Sequence, residues 1–259
     1  TSDRFGHPLK GHGRHIDAPG HHHAYGLKQN VIGGSLGDEA SGTFLYLNTD
    51  KLGITLDLET ADGKAIFRRL VADADILVED RAPGEMKRLG LDYDALKAVK
   101  PDLIYCSITG FGQTGPYAAR AGYDFIVQGM GGFMSLTGTA DGEPTRAGVP
   151  VSDIMTGMYS VIGILAALQR RERTGKGGYV DTALVDTTVG VLANQGMNYL
   201  ISGKVPSRIG NAHPNIVPYQ VCAVADGHIM LAVGNDGQFQ RLCEVLGATG
   251  LALGVKLVL

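Results

Sequence analysis

Asp153 stands at the start of a long helical pattern, within Ala147-Gly148-Val149-Pro150-Val151-Ser152-Asp153-Ile154-Met155-Thr156-Gly157-Met158. The pattern runs on to Arg173-Thr174-Gly175-Lys176-Gly177-Gly178. A carboxylate at the mouth of a helix meets the positive end of the helix dipole and unbonded backbone N–H groups. Such a group stays ionised and can be aimed at a substrate. As a nucleophile, such a carboxylate can divide one difficult reaction into easier covalent steps. The same position also favours an Asp that only caps the helix. The local pattern leaves both roles open.

Other reactive residue types give weaker signals. His7, His12, His15 and the adjacent His21, His22 and His23 crowd the first 42 residues. Adjacent residues rarely point at one ion, and no Cys or carboxylate has matching spacing, so no metal is expected. Cys106, Cys222 and Cys243 are far apart and odd in number, which suits a reducing compartment, and a cytoplasmic location is the expectation. Cys106 follows Leu103-Ile104-Tyr105 and reads as a buried small hydrophobe. A net charge of -3 argues against a general nucleic-acid binder. No run of about 18 apolar residues is evident, so no membrane span is expected.

These side chains need a scaffold, and the pattern around them supplies one. The chain has 259 residues, 44% of them apolar and 19% charged, as in an ordinary globular protein. Its 38 glycines are about twice the usual share of roughly 7% and punctuate apolar segments, as tight strand–helix connections require. Residues 1–42 read as irregular. Phe44 to Leu47 and Ile54 to Leu58 read as strands. A helix opens at Thr60 and runs to about Ala72, with Ile66, Phe67 and Leu70 on one face. Asp75–Glu79, Leu103–Ile108 and Tyr179–Thr182 are further strands, alternating with helices near Pro83, over Tyr93–Lys100, 123–134 and 154–172. Met158, Val161, Ile162, Leu165 and Leu168 form the expected core stripe of the last of these. Such alternation indicates an α/β fold with a Rossmann-like parallel sheet. Gly110-Phe111-Gly112-Gln113-Thr114-Gly115-Pro116 leaves a strand end, where open α/β sheets place ligands. Residues 206–220 read as a linker between a large domain, 1–205, and a partial small α+β domain, 221–259. The small domain holds a hairpin across Asp226-Gly227 and a helix from Gln238 to Leu246.

Several stretches in series resemble the family III CoA transferases, which share their fold with α-methylacyl-CoA racemase. They are Leu47-Asn48-Thr49-Asp50-Lys51 with Ile54–Leu58; Ala74–Glu79 with Pro83-Gly84 and Arg88-Leu89-Gly90; and Pro101–Tyr105 with Ser107–Gly112. Gly122-Tyr123-Asp124, Gln128, Asp153 with Thr156-Gly157-Met158, and Arg173–Gly177 come after these in order. The resemblance covers about residues 43 to 247. It implies that Asp153 attacks the thioester of an acyl-CoA, forms a mixed anhydride and then an aspartyl-CoA thioester, and passes CoA to a second carboxylic acid.

The resemblance also implies CoA contacts. Leu56, Asp57, Leu58 and Glu59 match a segment lining the adenine nucleotide, and Arg88 matches a phosphate-binding arginine, a role that suits a guanidinium. Asp80, which stands where Asn is usual, and Arg81 fall beside the cofactor. Ala121 replaces a lysine, while Gly122, Tyr123 and Asp124 match the loop beside the pantetheine. His213-Pro214-Asn215 lies where formyl-CoA transferases carry a glycine-rich loop. Tyr123 occupies the position of the racemases' histidine, and a phenol with a pKa near 10 is a poor proton shuttle at neutral pH. CoA transfer is therefore favoured over racemisation, with a non-catalytic CoA-binding role as the remaining alternative. Compared with the family, the first strand–helix unit and the end of the small domain are expected to be missing. A homodimer is expected from the family, with altered closure in a shortened chain.

Overall fold

The computed structural model describes residues 13–17, 46–47 and 50–252. His7, His12, His21, His22 and His23 lie outside them, as do Phe44 and residues 253–259. Strand β1 (Gly13–Asp17) pairs in parallel with β2 (Lys51–Thr55). The first segment is thus not irregular throughout. A parallel partner lies far along the chain and leaves no local signature. Tyr46 and Leu47 are helical rather than extended. The second expected strand ends early, because residues 56–60 turn to bury Leu56 and Leu58.

Helix α1 (Ala61–Ala72) starts at Thr60, whose hydroxyl accepts the Gly63 N–H at 3.0 Å. Its inner face is Gly63, Phe67 and Val71, while Ile66 is exposed. The cause is at Gly63, where an added Cβ would sit 1.8 Å from the Asp57 carbonyl oxygen. That contact turns the glycine side of the helix inward. Strand β3 (Ile76–Glu79) comes next, then the short helices α2 (Glu85–Leu89) and α3 (Tyr93–Leu96), and β4 (Ile104–Thr109). After them come α4 (Asp124–Met130), α5 (Phe133–Leu136), α6 (Val151–Thr174) and β5 (Gly178–Ala183). The three strands form a parallel sheet in the order β3-β4-β5, with Glu79 opposite Ser107 and Ser107 opposite Asp181. The core lies on one side of this sheet, around Leu56, Phe67, Leu91, Leu96, Leu103 and Tyr105. Helices α7 (Leu184–Gly190) and α8 (Ala193–Ser202) lead to the hairpin β6 (Tyr219–Val224) and β7 (Gly227–Ala232), then α9 (Asp236–Val245) and α10 (Thr249–Ala252).

Helix α6 reverses the expected polarity. Met158, Val161, Ile162 and Leu165 are exposed, and the buried residues are Ser152, Thr156 and Ser160, at every fourth position. The sheet side must be small, since a Cβ at Gly163 would lie 2.8 Å from Val180 Cγ1. Hydroxyls fit this gap and bond across it: Thr188 Oγ1 donates to Ser152 Oγ at 2.8 Å, Thr156 and Thr187 hydroxyls lie 2.7 Å apart, and Ser160 and Thr182 hydroxyls 2.8 Å apart. By length and composition alone α6 would pass as a bilayer-crossing helix. Its apolar residues are scattered outward between polar ones, so no unbroken run announces them. At its far end Arg171 ion-pairs with Asp75 at 3.0 Å and donates to the Asp102 carbonyl at 3.2 Å. Gly175, at φ 68°, then ends the helix in the left-handed region.

Candidate active site

Parallel strands send all their carboxyl ends one way. The loops after Glu79 and Thr109 therefore emerge at the same edge of the sheet. Helices α1 and α6 each precede a strand of that sheet, so their amino ends, with Glu59 and Asp153, return to that edge. Topology alone collects the predicted residues.

Two of the loops are pressed together by glycines. A Cβ on Gly110 would lie 2.4 Å from the Gly122 Cα, and one on Gly122 would lie 2.6 Å from the Gly110 Cα. Neither position tolerates a side chain, and the contact seats the Ala121–Asp124 segment on the end of β4. Phe111 is buried beneath it, edge-on to Tyr117 at 5.7 Å. Tyr123 is 76% exposed and Ala121 is also at the surface, so this segment is open to a ligand.

Asp124 turns inward. Its Oδ1 accepts the Ser152 N–H at 2.9 Å and its Oδ2 accepts from Gln128 Nε2 at 2.7 Å. Gln128 is fully buried and accepts the Ala147 N–H at 2.9 Å through Oε1. Pro150, at the N-cap position, has no capping side chain, so a carboxylate from another helix takes that task. Asp153 is therefore free of it. Its side chain is exposed, and among the described residues its carboxylate accepts no hydrogen bond. Withdrawal of water by the surrounding protein pushes its pKa up, and the negative charge of Asp124 adds to this. These effects oppose the pull of the helix dipole on the same carboxylate.

The predicted nucleotide contacts divide by environment. Leu56 and Leu58 are core residues, only 7% exposed. Asp57 accepts the Glu59 N–H at 2.9 Å, and Thr60 Oγ1 donates to the Asp57 carbonyl at 2.8 Å, so the segment is a closed turn. Glu59 and Arg88 form a two-pronged ion pair at the surface, with one contact of 3.0 Å. The Arg88 hydrogen bond holds the Glu59 carboxyl below its ordinary range, and Glu59 in turn raises Arg88. Arg81 is half-buried and bonds Glu85 at 3.0 Å, while Asp80 is exposed. The exposed Arg88 and half-buried Arg81 can both serve an anionic ligand.

Sequence reasoning missed several members of the site. Glu79 Oε2 accepts the Arg81 N–H at 2.8 Å, its Oε1 accepts from Ser107, and Tyr179 donates to Ser107 at 3.2 Å. Burial pushes the Glu79 carboxyl up against these hydrogen bonds. Cys106 is fully buried, as expected, and burial raises its thiol. The Ser152-Thr156-Ser160 spacing was a signal in plain view. The others depend on strand register, which short motifs do not encode. Of His213-Pro214-Asn215, the first two line a groove of about 590 Å³ together with Asn198, Ser202 and Lys204. There Asn215 Oδ1 accepts from Asn194 and Asn198 at 3.1 and 3.2 Å. Among the described residues no group of three or more His, Cys, Asp or Glu could hold a metal ion.

The chain is 56% identical over 217 residues to the succinate–glutarate CoA-transferase of Agrobacterium fabrum, an alignment covering 83% of this chain and 54% of that protein. It is 42% identical over 244 residues to the acetyl-CoA:oxalate CoA-transferase of Acetobacter aceti, covering 94% and 61%. The chain thus spans little more than half the length of these relatives. A solved CAIB/BAIF family protein from Brucella suis superimposes with a TM-score of 0.74 at 50% identity, covering 94% of this chain and 64% of that one. The profile of CoA-transferase family III matches residues 19–257, nearly the whole sequence, and the chain belongs to that family.

Proposed function

We propose that this chain acts in acyl-CoA:carboxylate CoA transfer, with Asp153 as the covalent nucleophile. The observation that carries the reading is an exposed carboxylate, unbonded among the described residues, on the first turn of α6. An Asp there that served only as a cap would be bonded to the helix backbone, and Asp124 already fills that role. Removing water around the carboxyl strengthens it as a base and as a nucleophile.

In this reading a carboxylate oxygen of Asp153 attacks the thioester carbonyl carbon. The C–S bond breaks and CoA leaves as thiolate, giving a mixed anhydride. The thiolate attacks the aspartyl carbonyl, the donor acid departs, and an aspartyl-CoA thioester remains. An incoming carboxylate attacks that thioester and expels thiolate. The thiolate then attacks the new acyl carbonyl, which frees Asp153 and yields the product thioester. Protons balance at every step, so no general base is needed. Arg81 and Arg88 face the phosphates, and the Ala121–Asp124 segment lies along the pantetheine. The relatives are named for succinate with glutarate and for acetyl-CoA with oxalate, which supports short carboxylic acids as substrates, with a dicarboxylic acid as acceptor.

Incubation with succinyl-CoA and hydroxylamine tests this. The expected product is a hydroxamate at Asp153, found by peptide mass spectrometry and absent from Asp153→Ala. Exchange of CoA between two acids that persists in Asp153→Ala would end the reading.

A further inference from the structure

Glu79 closes β3, and its carboxylate works in two directions. Oε2 accepts the Arg81 N–H at 2.8 Å and so folds the chain back on itself where it leaves the sheet. Oε1 accepts from Ser107 on β4, and Ser107 in turn accepts from Tyr179 on β5 at 3.2 Å. The Arg81 backbone is thereby tied to all three strands. A half-buried carboxylate is a costly means of holding one neutral N–H, since its own desolvation works against it. The side chain of Arg81 gives that anchoring a use. It extends from the fixed turn and bonds Glu85 through one guanidinium nitrogen at 3.0 Å. Its charge also reaches Glu59, the partner of Arg88.

We infer that Glu79 is a positioning residue for the anionic end of CoA, fixing the Asp80–Arg81 turn so that the Arg81 guanidinium meets a phosphate already in place. This rests on CoA being the ligand at this edge of the sheet. A preset guanidinium loses less freedom on binding, which improves affinity without adding a contact. Glu79 acts through Arg81, so the effects of the two residues overlap.

The test is calorimetric titration of CoA into the full chain. Glu79→Ala is expected to weaken CoA binding about tenfold, as is Arg81→Ala, the usual scale for one charge-assisted phosphate contact. The double variant is expected to bind no more weakly than Arg81→Ala alone. Glu79→Gln, whose amide oxygen still accepts the Arg81 N–H, should recover most of the affinity. Ser107→Ala, which removes the anchor on β4 and leaves Glu79 in place, should weaken binding by about threefold, and this serves if Glu79→Ala fails to fold. In turnover, KM for acyl-CoA should rise while kcat and the acceptor KM hold, a split that general loosening of the fold would not give. Unchanged CoA affinity in folded Glu79→Ala and in Ser107→Ala, or losses that simply multiply in the double variant, would overturn the inference while leaving the transferase reading intact. Failure of the unaltered chain to bind CoA would overturn both.

Discussion

Asp124 caps the helix that carries Asp153: its Oδ1 accepts the Ser152 N–H at 2.9 Å, one residue before the proposed nucleophile. The cap comes from α4, and the same carboxylate charge raises the Asp153 pKa. One side chain therefore caps the helix beneath its neighbour and adds to the upward push that desolvation already gives the neighbour's pKa.

Asp124→Asn separates the two effects. The amide oxygen still accepts from Ser152, but the amide nitrogen then faces Gln128 Nε2, donor to donor. A stability loss of about 1 kcal/mol is expected from that lost hydrogen bond. With the charge gone, Asp153 loses a cause of its raised pKa. The acid limb of the kcat/KM profile should move to lower pH, measured by stopped or continuous CoA-exchange assays across the acidic range.

Asp153 itself is predicted to cost the fold a little stability at neutral pH. Its folded pKa is raised, so the native state holds the proton more tightly than the unfolded chain. The penalty on the charged form is fully present above the folded pKa and vanishes below the unfolded value of about 3.9. Asp153→Asn should therefore melt slightly higher than the parent at pH 7, by a few tenths of a kcal/mol after solvent screening, and equally at pH 3. Melting curves at the two pH values check the sign, and the same variant should lose CoA exchange by at least about a thousandfold.

Gly110→Ala and Gly122→Ala test the loop contact. Each new methyl would lie within 2.6 Å of the opposing backbone. Flexible side chains cannot yield here, because backbone faces backbone. A loss of about 3 kcal/mol or more is expected from denaturant titration, at the upper end of overpacking costs.

Arg88→Ala addresses the ion pair with Glu59. Both groups are at the surface, so its removal should leave the melting temperature nearly unchanged. CoA affinity should nevertheless fall about tenfold, since a charge-assisted contact from the guanidinium to a phosphate is lost. Calorimetric titration beside a melting curve separates the two.

Strand and helix identity was legible wherever the apolar period was strong. The strands around Val78, Cys106 and Val180, the hairpin flanking Asp226, and the loop at Gly110 all stand where the pattern puts them. Asp153 was legible too, as a carboxylate opening a helix. Orientation was not. The residues Met158, Val161, Ile162 and Leu165 satisfy a helical core stripe, yet the gap at Gly163 admits only small side chains. Ile66 fits an inward face by the same periodicity and is displaced by Gly63 in the same way. Close approach is a property of two segments, and a pattern reads one at a time. Asp124 illustrates this best: its capping partner lies 28 residues away.

Apolar contacts resist separation but barely resist sliding, whereas hydroxyl pairs have direction. The Ser152, Thr156 and Ser160 bonds to Thr188, Thr187 and Thr182 therefore work as teeth. A roll of α6 about its axis by one position would sweep its first turn through about 100 degrees and disengage all three at once. The bearing of Asp153 is thus set along about two turns of α6, and a change at Ser160, far from any reacting atom, would be felt as misaim.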